Sequence, residues 1–302
     1  MARRNYMNFS VELTNHCNFK CVYCPHAYYK QQVTPSGNVF DRSKGFMDRE
    51  LFDKAIDEAQ YWAKNVAIGF FGEQQMHPHF DEFVQSVPKK GERKFDFTIN
   101  SNWSLITEES LPTYNCFNTV RISLDASTKE AWEALCPGSN LLRADGSVGE
   151  GRYETLVEKV KWFLQLKHRP KVNLIVVRQE ANKEDEKRMV QLWRPLLRKG
   201  DRLNTKCILT FGGVVFDPYM PEHRECKVVR EHRFVIAHDG RCTPCSLDVN
   251  LVMAAGNLRT QTVAEIVASD WWKRTLEGID KRIGLCSNCF DGQNHSQRTY
   301  PG

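Results

Sequence analysis

The chain has 302 residues, 41% of them hydrophobic and 11% aromatic, which is enough for one large domain, or a large one with a small appendage, around a real core. No apolar run reaches membrane-spanning length, and the amino-terminal "MARRNYMNFSVELTNHC" carries basic residues but no apolar signal stretch, so a cytoplasmic protein without a membrane partner is expected. The formal charge of +5 is modest, and "KKGERK" (89–94) and "KHRPK" (167–171) read as solvated turns without the interleaved aromatics of a single-strand binder, so nucleic acid is not expected either.

In chain order, "NFSVELT" (8–14) reads as the first strand, and a cysteine-rich loop follows it directly. Further strands are expected at 65–71, 95–100, 119–125, 171–178 and 206–213. Helical patterns lie between them: "DRELFDKAIDEAQYWAK", "HPHFDEFVQSVPKK", "TKEAWEALC", "RYETLVEKVKWFLQLK" and "KEDEKRMVQLWRPLLRKG". In the fourth of these, Leu156, Val160, Phe163 and Leu164 fall on one face. Strands alternating with helices predict βαβ units around a parallel sheet, curled into a partial (β/α)6 TIM-like barrel with its site at one rim. The loop "GSNLLRADGSVGEG" (138–151) is polar and glycine-rich.

After about Gly213 the texture changes. "DPYMPEHREC" leads into "HRFVIAHDGRCTPC", a hairpin with Asp239-Gly240 at its reversal. One helix, "TVAEIVASDWWKRTLEGI", and then "CSNC" complete the pattern. The expected division is residues 1–215 for the partial barrel and 216–302 for a small α+β domain.

Eleven cysteines, odd in number and clustered, argue against a disulfide framework and for metal. Cys116, Cys136 and Cys207 read as small buried hydrophobes. Cys17, Cys21 and Cys24 give three thiolates in one loop, which suits a four-iron cubane with one iron left open for a chelating ligand. The carboxy-terminal cysteines admit two readings. Cys242-x2-Cys245 with Cys286-x2-Cys289 is a structural zinc pattern. The other reading takes Cys226, Gly240 and Cys245 with Cys286 and Cys289.

These motifs resemble the radical S-adenosylmethionine (radical SAM) superfamily. "VELTNHCNFKCVYC" is similar to its first strand and cluster loop, and "FFGEQQMHPHF" to its second-strand Gly-Gly-Glu-Pro motif, with Phe71 for the first glycine and Gln74 for the proline. "FTINSNW" and "VRISLDAS" resemble the third- and fourth-strand segments. The resemblance implies that Cys17, Cys21 and Cys24 hold a [4Fe-4S] cluster and that S-adenosylmethionine chelates its open iron. One electron entering the sulfonium then yields methionine and a 5′-deoxyadenosyl radical. By the same resemblance, the Gly72 carbonyl and the Glu73 carboxylate take the methionine amino group, Tyr23 lies by the adenine, and Ser123 and Asp125 bind the ribose. Asn100, Asn102, Arg121, Arg178 and Gln179, near strand ends, could contact cofactor or substrate.

The second reading of the carboxy-terminal cysteines resembles the shortened SPASM, or twitch, domain of that superfamily. It implies one auxiliary [4Fe-4S] cluster on Cys226, Cys245, Cys286 and Cys289. Cys242 is then either a packed hairpin cysteine or a thiol that gives a hydrogen atom to a substrate radical. Within the superfamily, the shortened form is similar to the group of the butirosin aminocyclitol dehydrogenase and the neomycin epimerase. Peptide-modifying members often begin with a leader-binding domain, whereas here the first strand starts near residue 8. The expected reaction is therefore oxidation or epimerisation of a small hydroxylated substrate, a sugar or aminocyclitol. A peptide substrate, a non-catalytic electron-transfer protein and a zinc-stabilised binding domain are the alternatives. A reductase or flavodoxin is the expected electron donor.

Overall fold

The computed structural model describes residues 6–28, 40–137, 152–179, 182–209, 231–289 and 298–302, with 211, 215 and 226 besides. The barrel part runs β1 (Met7–Val11), α1 (Arg49–Trp62), β2 (Ala63–Ile68), α2 (Phe80–Ser86), β3 (Asp96–Ser101), α3 (Leu111–Tyr114), β4 (Thr119–Ser123), α4 (Lys129–Leu135), α5 (Arg152–Gln165), β5 (Lys171–Arg178), α6 (Glu186–Trp193) and β6 (Arg202–Cys207). The rest is β7 (Arg233–Ile236), β8 (Arg241–Thr243), β9 (Gly256–Asn257), α7 (Val263–Ala268), α8 (Asp270–Asp280) and β10 (Arg298–Pro301).

One sheet carries all ten strands, in the order β10-β6-β5-β4-β3-β2-β1-β7-β8-β9. Strands β1 to β6 are mutually parallel, so their carboxyl ends share one rim. The sheet stays open, as a partial (β/α)6 barrel requires. Its two edges are extended by carboxy-terminal strands: β7 adds parallel to β1, and β10 adds antiparallel to β6. The 215/216 boundary and the 138–151 loop expected from sequence lie largely or wholly outside the described residues.

The strands alternate, and the alternation sets what each face can do. In β1, Phe9 and Val11 are buried while Asn8 and Ser10 are half-buried on the other face; in β4, Val120 and Ile122 alternate with Arg121 and Ser123 in the same way. The apolar face is covered by helices. Helix α1 turns Leu51, Phe52, Ala55, Ile56, Ala59 and Trp62 into the core, and α5 turns in Leu156, Val160, Phe163 and Leu164 as the spacing predicted. Each such large side chain contributes about 1.5–3 kcal/mol of burial.

Three differences from the sequence reading have physical causes. Strand β6 begins at Arg202, four residues before the apolar run that suggested it, because Asn204 and Lys206 belong to the polar face. The expected long helix is two helices. Ser269 ends α7, and its side chain accepts the Trp272 amide to cap α8. β10 had no apolar signal, and its ladder with β6 supplies its order. No helix among the described residues is long and apolar enough to cross a membrane.

The turn into β5 is fixed by a buried ion pair. Arg169 donates to both oxygens of Asp201, at 3.0 and 2.7 Å, and the amides of Val172 and Arg198 donate to the same carboxylate at 2.8 and 3.0 Å. Burial pushes the Asp201 carboxyl up, but these donors outweigh it and hold the group below its ordinary value. Asp201→Ala strands the Arg169 charge, whose side chain is fully buried. We expect a loss of about 3–5 kcal/mol in urea unfolding.

Candidate active site

The cluster loop leaves β1 at the rim and is clamped from both sides. On one side runs the segment 42–47. Gly45 N donates to Asn15 Oδ1 at 2.9 Å, Thr14 Oγ1 to Gly45 O at 2.7 Å, and Met47 N to Leu13 O at 2.7 Å. On the other side stands Gln74, where the resembled motif has proline. Its Oε1 accepts the amides of Leu13 and Thr14 at 2.7 and 3.3 Å. Its Nε2 donates to the carbonyls of Phe71 and Thr14 at 2.7 and 3.1 Å. This fully buried amide stitches two loops, a task proline cannot perform.

Gly72 sits at φ +82°, and a Cβ there would come within 2.4 Å of the His16 carbonyl oxygen. Only glycine lets the two backbones approach this closely. Glu73 follows. Its amide donates to His16 O at 2.8 Å, and its carboxylate accepts the Asn102 amide at 2.7 Å. Burial pushes its carboxyl up to about 7 against the donors that hold it down. Asn102 in turn donates to Asn18, and Asn18 to Ser104, which pins the middle of the cluster loop.

Cys17, Cys21 and Cys24 are free thiols that act on one another electrostatically. Burial first, then Cys24, raises the pKa of Cys17; burial, then Cys21, pushes that of Cys24 up to about 12. Three soft donors in one loop suit a cationic iron–sulfur core, whose charge would reverse the repulsion among thiolates. Cys136 is buried as expected, but its Sγ lies 3.4 Å from Cys21 Sγ, beside the ligand loop.

The inner, polar face of the barrel encloses a cavity of about 890 Å³. Tyr23 and Cys24 line it at the rim, and Asn100 and Ser123 from the wall. Cys226, Cys245, Cys286 and Cys289 line the same cavity. The second set is built on the β7–β8 hairpin. Gly240 turns it at φ +91°, where a Cβ would come within 2.4 Å of Asn257 Oδ1. Buried Asp248, which sequence reasoning missed, orders the loop after Cys245 by accepting from Thr243 Oγ1, Val252 N and Met253 N at 2.8–3.0 Å. Arg282 Nη2 donates to the carbonyls of Cys286 and Cys289 at 2.9 and 3.0 Å. These thiols act on one another electrostatically, Cys226 and Cys289 on Cys245 and Cys226 on Cys286.

Several expected contacts lie outside the cavity lining: Gly72, Glu73, Asn102 and Gln179 do not line it, and three more have other surroundings. Cys242 is fully buried in the core, its thiol donating to Gly240 O at 3.3 Å, and it is not among the cavity-lining residues. Strand alternation in β8 turns it toward the helices, so the structure does not bring it to a substrate. Asp125 accepts the Tyr23 hydroxyl and the Val177 amide and does not line the cavity; it positions Tyr23. Arg178 pairs with Glu186 at 3.5 Å, also away from the cavity.

A sequence profile of the Radical SAM superfamily matches residues 11–192, and one of an iron–sulfur cluster-binding domain, SPASM, matches 226–290. The second match selects iron–sulfur over zinc for the carboxy-terminal cysteines. A tungsten-containing aldehyde ferredoxin oxidoreductase cofactor-modifying protein of Pyrococcus furiosus is 27% identical over 197 residues, 63% of this chain; the match spans about half of that relative, 48%. Streptococcus suis SuiB bound to precursor peptide SuiA superposes with a TM-score of 0.68 at 12% identity, over 94% of this chain and 70% of that one. BtrN in complex with AdoMet and 2-DOIA gives 0.58 at 17% identity, over 96% and 94%. At these identities the solved structures show the shared fold.

Two outcomes are expected. Gln74→Ala leaves two amides without partners and lowers stability by about 2–4 kcal/mol in urea titration, and Gln74→Pro does not restore it. Anaerobically reconstituted protein holds about eight irons; Cys226→Ala, Cys245→Ala, Cys286→Ala or Cys289→Ala lowers the count to about four, whereas Cys242→Ala leaves it at about eight.

Proposed function

The chain belongs to the radical SAM superfamily, and on that premise we propose that it is an oxidoreductase acting on a C–H bond of a small hydroxylated substrate held in the barrel cavity. As a member with a SPASM-type domain it binds S-adenosylmethionine, a four-iron cluster and auxiliary iron–sulfur. Cys17, Cys21 and Cys24 would hold the first cluster, which with its nucleotide and a flavodoxin-type donor would supply a 5′-deoxyadenosyl radical able to take hydrogen from an unactivated carbon. Cys226, Cys245, Cys286 and Cys289 would hold the second, which would supply a one-electron acceptor.

The observation that carries the oxidation reading is the shared cavity: Cys24 and all four carboxy-terminal thiols line one space. A substrate there lies between a site of hydrogen removal and a site of electron uptake. Loss of a hydrogen atom, a proton and an electron converts an alcohol carbon to a carbonyl. Epimerisation instead needs a hydrogen donor at the substrate, and Cys242, the sequence candidate, is buried in the core. The volume of about 890 Å³ lies toward the upper end for ligand sites, which leaves room beside a nucleotide for a second molecule.

The chain's own residues have definable tasks in this reading. Gly72 and Glu73 present a carbonyl and a carboxylate to the methionine amino group. Tyr23, fixed through Asp125, packs beside the adenine, and Ser123 and Asn100 contact the nucleotide from the wall.

Protein supplied with S-adenosylmethionine and dithionite should release 5′-deoxyadenosine; a protein that only carries electrons releases none. A substrate screen that yields a modified peptide and no oxidised alcohol would replace the small-molecule reading with a peptide one. Glu73 adds a pH signature. Its carboxyl titrates near 7 in the free protein, and an ammonium beside it lowers that value, so binding releases a proton at lower pH. S-adenosylmethionine affinity should therefore fall as pH drops below about 7, and Glu73→Gln should flatten that dependence in calorimetry.

A further inference from the structure

The geometry points to an oxyanion-binding site on the barrel wall, in which Arg121 and Lys206 grip a carboxylate or phosphate group of the substrate. The inference rests on the enzymatic reading above and narrows its substrate class. Arg121, on β4, stands in register between Asn100 on β3 and Asn173 on β5. Lys206 is on β6, opposite Val177 of β5, and Arg233 is on β7. All three line the cavity, as do Lys64 and Arg282, whereas Glu231 is the one acidic residue among the described lining.

The cations are close enough to act on one another. Burial, then Arg233, lowers the pKa of Arg121; burial lowers that of Lys206, with Arg121 and Arg233 adding to the shift and Asp125 opposing it. Arg233 has a partner of its own, since its guanidinium donates to Glu231 at 2.7 Å. Among the described residues the side chains of Arg121 and Lys206 make no hydrogen bond or ion pair. The carboxylate that acts on Lys206, Asp125, accepts instead from Tyr23 and Val177.

Like charges gathered in a half-buried space oppose folding unless something answers them. A fold that keeps two such side chains unpaired, facing a cavity, has a place for an anion to enter. A second observation extends the ligand's description. Asn204 Nδ2 donates to Asn173 Oδ1 at 2.7 Å, but its own Oδ1 is buried without a donor. Asn204 lines the same cavity on β6, two residues from Lys206. The group that completes it is a hydroxyl or an N–H near the anion. The substrate class is thus a polar molecule bearing an anionic oxygen group and a neighbouring hydrogen-bond donor.

The test uses holoprotein with its clusters and saturating S-adenosylmethionine, and inorganic phosphate and oxalate as probes in equilibrium dialysis. At least one probe should bind the wild type. Binding should weaken about tenfold or more in Arg121→Gln and in Lys206→Gln, and stay within about threefold in Arg121→Lys and Lys206→Arg. Phosphate binding supports the site and identifies a phosphorylated substrate; oxalate binding alone supports it and identifies a carboxylated one. Failure of both probes overturns it, and so does unchanged binding in both glutamine variants. Binding seen only without S-adenosylmethionine also overturns it, because the methionine carboxylate then occupies the cations. The underlying reading is scored separately by 5′-deoxyadenosine release from the wild type, so a protein that cleaves the nucleotide yet binds neither probe sinks the anion site alone.

Discussion

The arrangement depends on one buried carboxylate, that of Glu12, in the residue that follows β1. Arg42 donates to both its oxygens, at 2.9 and 2.5 Å, and the amide of His238 donates at 3.1 Å, with the imidazole Nδ1 at 3.0 Å. Three distant segments meet there: the first strand, the clamp beside the cluster loop, and the hairpin that leads to Cys245. Burial pushes the Glu12 carboxyl up, but Arg42 and His238 together bring it below its ordinary value. A charge buried so completely is tolerable only with its partners in place, so each segment fixes the others.

From that junction the two cysteine sets acquire a common front. The first loop is held by its clamps so that Cys24 reaches the cavity, and the hairpin tied to β1 carries Cys245 to the other side. The polar inner face between them follows from strand alternation. Most apolar strand side chains are turned out to the helices, and asparagines, hydroxyls and cations line the barrel together with Phe70, Ile175 and Val177. The same rule moves Cys242 out of reach, since it belongs to the buried core, paired with Gly256 of β9 and hydrogen-bonded through its carbonyl to the Ala255 amide, rather than to the cavity.

Much of this was legible in the sequence because local signals agreed with the fold. The barrel strands announced themselves through Phe9, Val11, Val120 and Ile122, and helix α5 through its spaced apolar stripe. The cysteine spacings and Gly240 marked two clustered groups of thiols. What stayed hidden depends on partners far along the chain. Strand β6 is half polar, so its inward Asn204 and Lys206 disguised it. The break at Ser269 was obscured by apolar residues that continue across it, although a serine ahead of an acidic residue and two tryptophans is a capping signal. The roles of Gln74 and Asp248 lie in hydrogen bonds, most of them from or to backbone groups, which no spacing rule exposes.

The sheet's edges carry a consequence for biosynthesis. β1 and β6 bound the parallel wall, yet the strands that cover them, β7 and β10, leave the ribosome after the wall is complete. Until then the nascent barrel presents two rows of unpaired backbone donors and acceptors, a template for wrong pairing with another chain. The growing polypeptide thus has an interval in which its first thiols already exist while their enclosure does not.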